Sequence, residues 1–247
     1  MKTKNVIIIP SRLESSRLPN KALIKIAGLP MIVHVFKRCE LSKKVSKVYV
    51  ATDSKKIADI VHQYGGKIIM TSKKHKTGTD RIAEASKHIK ADVIINVQGD
   101  EVLVNPNHID SLCELMEKNP TINVSILVND YSIQKNYSAI KTVLNENNEV
   151  LYFSRNDIPS NHRDFNAKML KAYHIIPFRK NFLIQYSKWK PTKLEKIEFN
   201  EYLRILEKGY KIKSLKVKSN AISVDTKKDL LEASKLFKQD KFLKYYK

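Results

Sequence analysis

Three cations, Arg12, Arg17 and Lys21, fall on one short stretch that also holds Pro10, Ser11 and Pro19 and contains no glycine. Guanidinium and ammonium groups on a proline-stiffened loop carry enough positive charge to neutralise a triphosphate. A solvated basic loop is the other reading of the same run. The missing glycines exclude a dinucleotide fingerprint, in which backbone must approach a pyrophosphate, and no Gly-Lys-Ser/Thr follows to make a P-loop. Two aspartates complete a possible phosphate site: Asp100, in Asn96-Val97-Gln98-Gly99-Asp100-Glu101, and Asp225, in Ser223-Val224-Asp225-Thr226. Such a pair suits Mg2+, a hard cation that takes one or two carboxylates and completes its octahedron with phosphate oxygens and water. The competing reading of Asp225 is an N-cap for the helix that follows.

Thr77, Gly78, Thr79 and Arg81 open a helix, where hydroxyls and amides can meet a base or a phosphate and Arg81 adds a fourth cation. Ordinary capping by Thr77 or Thr79 accounts for the same residues. Glu195, Glu198 and Glu201, three apart on one expected helix, line one face beside Arg204. They read either as solvated acids or as contacts for a polyhydroxylated ligand. The seven His show no metal-ligand spacing, and no Ser/His/Asp signature of a hydrolase is present.

The elements that must position these residues follow from hydrophobic period. Apolar runs at 6–9, 45–51, 67–70 and 93–97 read as parallel strands buried on both faces. Helical periods at 30–39, 54–64 and 79–89 alternate with them. The alternation implies an α/β fold with a doubly wound, mostly parallel, Rossmann-like sheet, whose ligand site lies beyond the carboxyl ends of the strands. After a helix at 106–118 the pattern loosens into mixed strands at 124–128, 139–144, 149–153 and 171–178, with a polar loop at 159–168. Helices are expected at 194–206 and 227–238, and a strand at 211–217. The expected organisation is one domain, 1–247: a nucleotide-binding half at 1–120, a mixed-strand insertion at 121–190 and a C-terminal part at 191–247 that returns to the metal site.

The chain has 247 residues, 42% of them apolar and 29% charged, the balance of a chain that folds on its own core. No apolar run approaches the ~20 residues of a membrane span, and none is long enough for a secretory leader, so a cytoplasmic protein without membrane insertion is expected. Cys39 and Cys113 sit in helix-like segments far apart and read as small core hydrophobes. The net charge of +21 admits a polyanion-binding module. Only eight of the 46 basic residues are Arg, whereas specific phosphate and base readers favour the planar guanidinium, which argues for compositional bias and against a specific nucleic-acid partner. Residues 227–247, with seven Lys against three acids interleaved with Leu and Phe, read as a solvated helix face.

In order along the chain stand Pro10-Ser11-Arg12, Arg17-Leu18-Pro19-Asn20-Lys21, Ala27-Gly28-Leu29-Pro30, Gly78-Thr79-Asp80-Arg81, Gln98-Gly99-Asp100-Glu101, Phe153-Ser154-Arg155, Leu194-Glu195-Lys196-Ile197-Glu198 and Val224-Asp225-Thr226. This set resembles the 3-deoxy-manno-octulosonate cytidylyltransferases, the CMP-Kdo synthetases, over nearly the whole length. The resemblance implies that the anomeric hydroxyl of Kdo attacks the α-phosphate of CTP, releasing pyrophosphate and giving CMP-Kdo for lipopolysaccharide synthesis. It implies that Arg12, Arg17 and Lys21 hold the triphosphate, with the backbone at Pro10 and Ser11 and the segment Thr77, Gly78, Thr79 and Arg81 around the nucleotide. Asp100 and Asp225 would bind Mg2+, and with Arg12 and Lys21 they would carry catalysis. Gln98, which also borders the nucleotide, would face the sugar acid with Arg155, Glu198 and Glu201. A homodimer formed through the mixed-strand region is implied as well.

Three positions depart from the family pattern. Asn20 replaces a glycine, which Asn suits because it tolerates the left-handed conformation. Val102 replaces a proline. Ala172-Tyr173-His174 replaces His-Leu-Gly and so removes an expected sugar contact; a modified Kdo such as an 8-amino analogue, or another 3-deoxy-ulosonic acid, is the alternative acceptor.

Overall fold

The computed structural model describes residues 3–15, 17–160, 162–164 and 167–247. Ser16 in the first loop, and residues 161, 165 and 166 of the polar loop at 159–168, lie outside the described residues.

The chain begins with β1 (Asn5–Ser11), a short hairpin of β2 (Lys25–Ile26) and β3 (Leu29–Pro30), α1 (Met31–Glu40), β4 (Val45–Thr52), α2 (Lys55–Gln63), β5 (Ile68–Met70), α3 (Gly78–Ser86), β6 (Val93–Val97) and α4 (Pro106–Lys118). The mixed region adds β7 (Ser125–Tyr131), β8 (Lys141–Leu144), β9 (Val150–Ser154), β10 (Met169–Tyr173) and β11 (Ile175–Arg179). The remainder is helical except for one strand: α5 (Lys180–Tyr186), α6 (Lys193–Glu198), α7 (Leu203–Glu207), β12 (Lys213–Lys216) and α8 (Lys227–Phe237).

The first sheet has the order β11-β6-β1-β4-β5. β6, β1, β4 and β5 run parallel, and β11 closes one edge antiparallel to β6. The unbroken apolar runs have a direct physical reason, because helices cover both faces. Ile7 and Ile9 of β1 point into one core with Met31, Phe36 and Leu112, while Val6 and Ile8 point into the other with Ile82, Phe178 and Tyr186. Alternate residues of β6 divide the same way, Ile95 to the first core and Ile94 to the second. Cys39 and Cys113 are free and buried in the first core; burial pushes the Cys113 thiol up to about 12.

The second sheet has the order β12-β7-β10-β8-β9 and is antiparallel except for the β12–β7 pair. It draws β12 from the C-terminal part of the chain, and the first sheet draws β11 from the mixed region.

Two expected elements are divided. The run at 171–178 is not one strand: β10 ends at Tyr173 in the second sheet, and after His174 the chain pairs β11 with β6 in the first. An apolar run reports that a strand is buried and not which sheet buries it. The helix expected at 194–206 breaks at Phe199, whose φ of 49° lies in the left-handed region, and α6 and α7 flank the break. Consequently Glu195, Glu198 and Glu201 do not share one helix face.

The C-terminal segment is more than a solvated helix face. Ala233 and Phe237 of α8 are buried, and beyond it Asp240 pairs with the buried Arg38 while the Tyr246 hydroxyl meets His34 at 2.9 Å. Arg38 also donates to the carbonyls of Leu103 and Val104, so the tail is tied to α1 and to the segment after β6.

Candidate active site

The carboxyl ends of β1 and β6 deliver the two halves of the site. β1 runs straight into Arg12, and the chain then turns back, with Asn20 at φ 54° and the Lys21 amide bonded to the Leu18 carbonyl, which aims the Lys21 side chain inward. β6 ends at Val97, and Gly99 allows the next turn to press against β1: a Cβ there would stand 3.0 Å from the Pro10 carbonyl oxygen. Asp100 follows at once. Asp225 is brought in by two flanking bonds, from the Val224 amide to the Asp100 carbonyl at 3.1 Å and from the Ser223 hydroxyl to Glu101 Oε1 at 2.5 Å.

Lys21 joins the aspartates. Its Nζ donates to Asp100 Oδ2 at 2.7 Å and to Asp225 Oδ1 at 2.9 Å, and Arg17 reaches the same Asp225 oxygen at 3.1 Å. Burial works against the Asp225 carboxylate, yet Lys21 and Arg17 hold its pKa below the usual value. Lys21 is the mirror case: burial opposes its charge, and the two carboxylates raise its pKa. The capping alternative for Asp225 does not hold, because Thr226 is the N-cap of α8 in a capping box with Asp229. Two hard carboxylates converging on one cation fit a small divalent ion that draws its remaining ligands from phosphate and water.

Glu101 is almost fully buried. Desolvation, then the neighbouring Asp100 charge, push its carboxyl up to about 7 against the Ser223 hydrogen bond. Composition gave no signal for this residue, whose role is to anchor the 223–225 segment beside Asp100.

Two cavities meet at this seam. The first, about 260 Å³, is walled by Pro10, Ser11, Arg12, Arg17 and Lys21 on one side and by 75–78 and Arg81 on the other. The second, about 380 Å³, lies under the second sheet and is bordered by Tyr131, Arg155, Lys171, His174, Glu201 and Tyr202. Arg17, Gly78, Gln98, Asp100 and Asp225 belong to both. Gln98 is oriented from behind, its amide donating to Asn96, which in turn donates to the Tyr202 hydroxyl. A Cβ at Gly78 would stand 3.2 Å from the Gln98 amide, so the glycine lets α3 approach it.

Several expected contacts are differently engaged. Thr77 caps α3 through the Asp80 amide. Thr79 is fully buried, and its hydroxyl donates to Glu201 at 2.8 Å, so that hydroxyl does not reach the first cavity. Arg81 borders the first cavity, but its guanidinium is paired with Asp53 at 3.1 Å and bonded to Thr71 at 2.6 Å. Glu195 forms a buried pair with Arg204, 2.5 Å apart, and is structural. Glu198 accepts from the Ser154 hydroxyl and the Arg155 amide and does not border either cavity. Lys171, His174 and Tyr202 border the second cavity without having been singled out by spacing. The only sequence signal among them was the departure at 172–174.

A family profile described as Cytidylyltransferase matches residues 6–213. A 3-deoxy-manno-octulosonate cytidylyltransferase of Trichlorobacter lovleyi is 38% identical over 248 residues, covering 95% of this chain and 98% of that relative. One of Escherichia coli is 37% identical over 240 residues, covering 96% and 98%. Among solved structures, a CMP:2-keto-3-deoxy-manno-octonic acid synthetase complexed with CTP is similar with a TM-score of 0.92 and 37% identity, over 96% of this chain and 99% of that one. A 4-diphosphocytidyl-2C-methyl-D-erythritol synthase from Anaerococcus prevotii, 12% identical with a TM-score of 0.64, shares the fold. Among the described residues no helix is long and apolar enough to cross a membrane. With an ordered set of motifs, a cation-lined cavity ending on two aspartates and these relatives over nearly its full length, the chain belongs to the 3-deoxy-manno-octulosonate cytidylyltransferase family.

Proposed function

We propose that this protein transfers CMP from CTP to the anomeric hydroxyl of Kdo in a Mg2+-dependent reaction in the cytoplasm, giving CMP-Kdo for lipopolysaccharide synthesis. The observation that carries this reading is the shared wall of the two cavities, where Asp100 and Asp225 border a basic cavity on one side and a sugar-sized polar cavity on the other. CTP would lie in the first cavity, its triphosphate against Arg12, Arg17 and Lys21 and the backbone at Pro10, Ser11 and Gly78. Gln98 and Glu201 would face the sugar, with Arg155 at the rim and Glu198 fixing Arg155.

In the transfer, the hydroxyl oxygen forms a bond to the α-phosphorus as the α–β bridge breaks, the hydroxyl proton is released and pyrophosphate leaves. Such a step requires alignment and charge neutralisation more than a strong base. Mg2+ held by Asp100 and Asp225 would neutralise phosphate charge and acidify the hydroxyl. Arg12 and Lys21 stabilise charge on the departing phosphates, and Lys21 also prevents the two carboxylates from repelling the triphosphate.

A homodimer through the second sheet is part of this reading. It is supported by Leu151 on edge strand β9, 58% exposed, with Ile197 and Phe199, 61% and 81% exposed, on the neighbouring α6 segment. Light scattering on wild type and Phe199→Asp tests it, and a monomeric wild type overturns it. Incubation with CTP, Mg2+ and Kdo tests the activity: pyrophosphate release is expected, and none above background overturns the proposal.

A further inference from the structure

Among the described residues three Lys and Arg side chains border the second cavity, Arg17, Arg155 and Lys171. Two of them are engaged within the protein. Arg17 is paired with Asp225. Every nitrogen of the Arg155 guanidinium already donates to a backbone carbonyl, Nε to Glu198 at 2.9 Å, one terminal nitrogen to Tyr137 at 2.9 Å and the other to Phe199 at 3.1 Å. Arg155 therefore fastens the α6–α7 break to the loop before β8.

Lys171 on β10 differs. Among the described residues no carbonyl or carboxylate lies within hydrogen-bond distance of its ammonium. Its Nζ lies instead 5.5 Å from the centre of the Tyr173 ring and 5.9 Å from that of Tyr131. Aromatic faces hold an ammonium in place while leaving its three N–H donors unused. The charge of Lys171 is felt by Glu101, but that carboxylate accepts from Ser223 and does not contact the ammonium, so an anionic ligand would add the direct partner.

The chemistry of the acceptor says where its anion must sit. In a 2-keto-3-deoxy sugar acid the carbon bearing the attacking hydroxyl also bears the carboxylate, so the group receiving that carboxylate must lie close to the aspartate seam. Lys171 meets this condition, because it borders the same cavity as Asp100 and Asp225, and three residues further on the His174 carbonyl accepts from the Gln98 backbone N–H at 3.3 Å. We propose that Lys171 is the specificity-determining cation that receives the acceptor's carboxylate, an inference that rests on the function proposed above and assigns one residue within it.

The test compares Kdo with its uncharged C1 carboxamide as acceptors for wild type, Lys171→Met and Lys171→Arg, with CTP and Mg2+ present. Wild type is expected to show a KM for Kdo at least about tenfold below that for the carboxamide, the scale of one charge-assisted hydrogen bond. Lys171→Met is expected to erase the difference between the two acceptors, raising the KM for Kdo far more than that for the carboxamide, whose C1 oxygen accepts only a neutral-acceptor hydrogen bond from the ammonium, with the KM for CTP and the melting temperature unchanged. Lys171→Arg restores most of the preference. A Lys171→Met enzyme that still prefers Kdo as strongly as wild type overturns this inference alone, as does a variant that loses Kdo, carboxamide and CTP together. A wild type inert towards Kdo overturns the proposed function and this inference with it.

Discussion

Asp225 lies 204 residues beyond Lys21, yet its Oδ1 accepts a hydrogen bond from Lys21 Nζ at 2.9 Å. The same nitrogen reaches Asp100, so the first loop, the end of β6 and the segment before α8 meet at one ammonium. A surface ion pair of this length would contribute little. Here the three groups are partly buried, and removing Lys21 leaves two carboxylates facing each other uncompensated, whereas removing either aspartate still leaves the ammonium one carboxylate partner.

Asp225→Asn keeps the size of the side chain and removes its negative charge. The cap of α8 survives, since Thr226 and Asp229 supply it. Turnover is expected to fall at least about 100-fold, as for loss of a metal-ligating carboxylate, with only a small change in melting temperature. Pyrophosphate release and thermal melts on the same preparation check both halves. Near-normal turnover would remove Asp225 from the reaction.

Gly99→Ala places a methyl group 3.0 Å from a backbone oxygen of β1 that cannot move away as a flexible side chain would. The turn carrying Asp100 must then shift relative to Pro10 and Ser11. A cost of about 1–3 kcal/mol in stability is expected, together with a several-fold higher KM for CTP. Denaturant unfolding and CTP titration measure the two, and an unchanged KM would mean that this close approach does not position the nucleotide cavity.

Much of this arrangement is legible from residue order, and the rest fails for identifiable reasons. The strand at 93–97 and the helix at 106–118 are read to the residue because both-face burial and a Pro after Asn105 are local signals. Asp100 and Asp225 are read as a pair because both follow expected strands. Partners are not local. Nothing near Arg81 announces Asp53, nothing near Thr79 announces Glu201, and the β10–β11 division at His174 depends on which sheet captures each half. Lys171 is invisible in a chain with so many lysines, and only its two aromatic neighbours set it apart.

Lys141→Met tests the wall of the second cavity from behind. Lys141 is fully buried, and its ammonium donates to the carbonyls of Asn136 at 2.8 Å, Ala139 at 3.1 Å and Arg155, with Asp157 3.6 Å away. Methionine fills the space of the stem and satisfies none of these oxygens. A loss of about 2–4 kcal/mol is expected, with a raised KM for the sugar acid and an unchanged KM for CTP, because the freed carbonyls belong to the loop and the arginine bordering that cavity alone. An equal rise in both KM values would show that the lysine supports the whole fold.

His34 gives the fold a pH dependence whose sign is set by its surroundings. The ring is fully buried on α1, with Nε2 2.7 Å from the Ile26 carbonyl and Nδ1 2.9 Å from the Tyr246 hydroxyl. A carbonyl only accepts, so Nε2 carries the hydrogen and Nδ1 accepts from Tyr246. Burial, chiefly, pulls the pKa below the ordinary histidine value; the Ile26 carbonyl and Asp240 oppose it, and Arg38 and Lys247 add to it. The unfolded chain therefore takes up a proton at a higher pH than the folded one. Between the folded and unfolded pKa values the unfolded state binds more protons, so stability rises with pH through that window and is lost as pH falls below about 6.5. Protonation would also place a hydrogen on Nδ1, so the Tyr246 hydroxyl must change from donor to acceptor to keep its bond between the tail and α1. Thermal melts from pH 7.5 down to 5.5 should show a steeper decline for wild type than for His34→Gln, whose amide can donate to Ile26 and accept from Tyr246 without titrating. Equal slopes for the two proteins would mean that the charge on this ring does not govern how the tail is held.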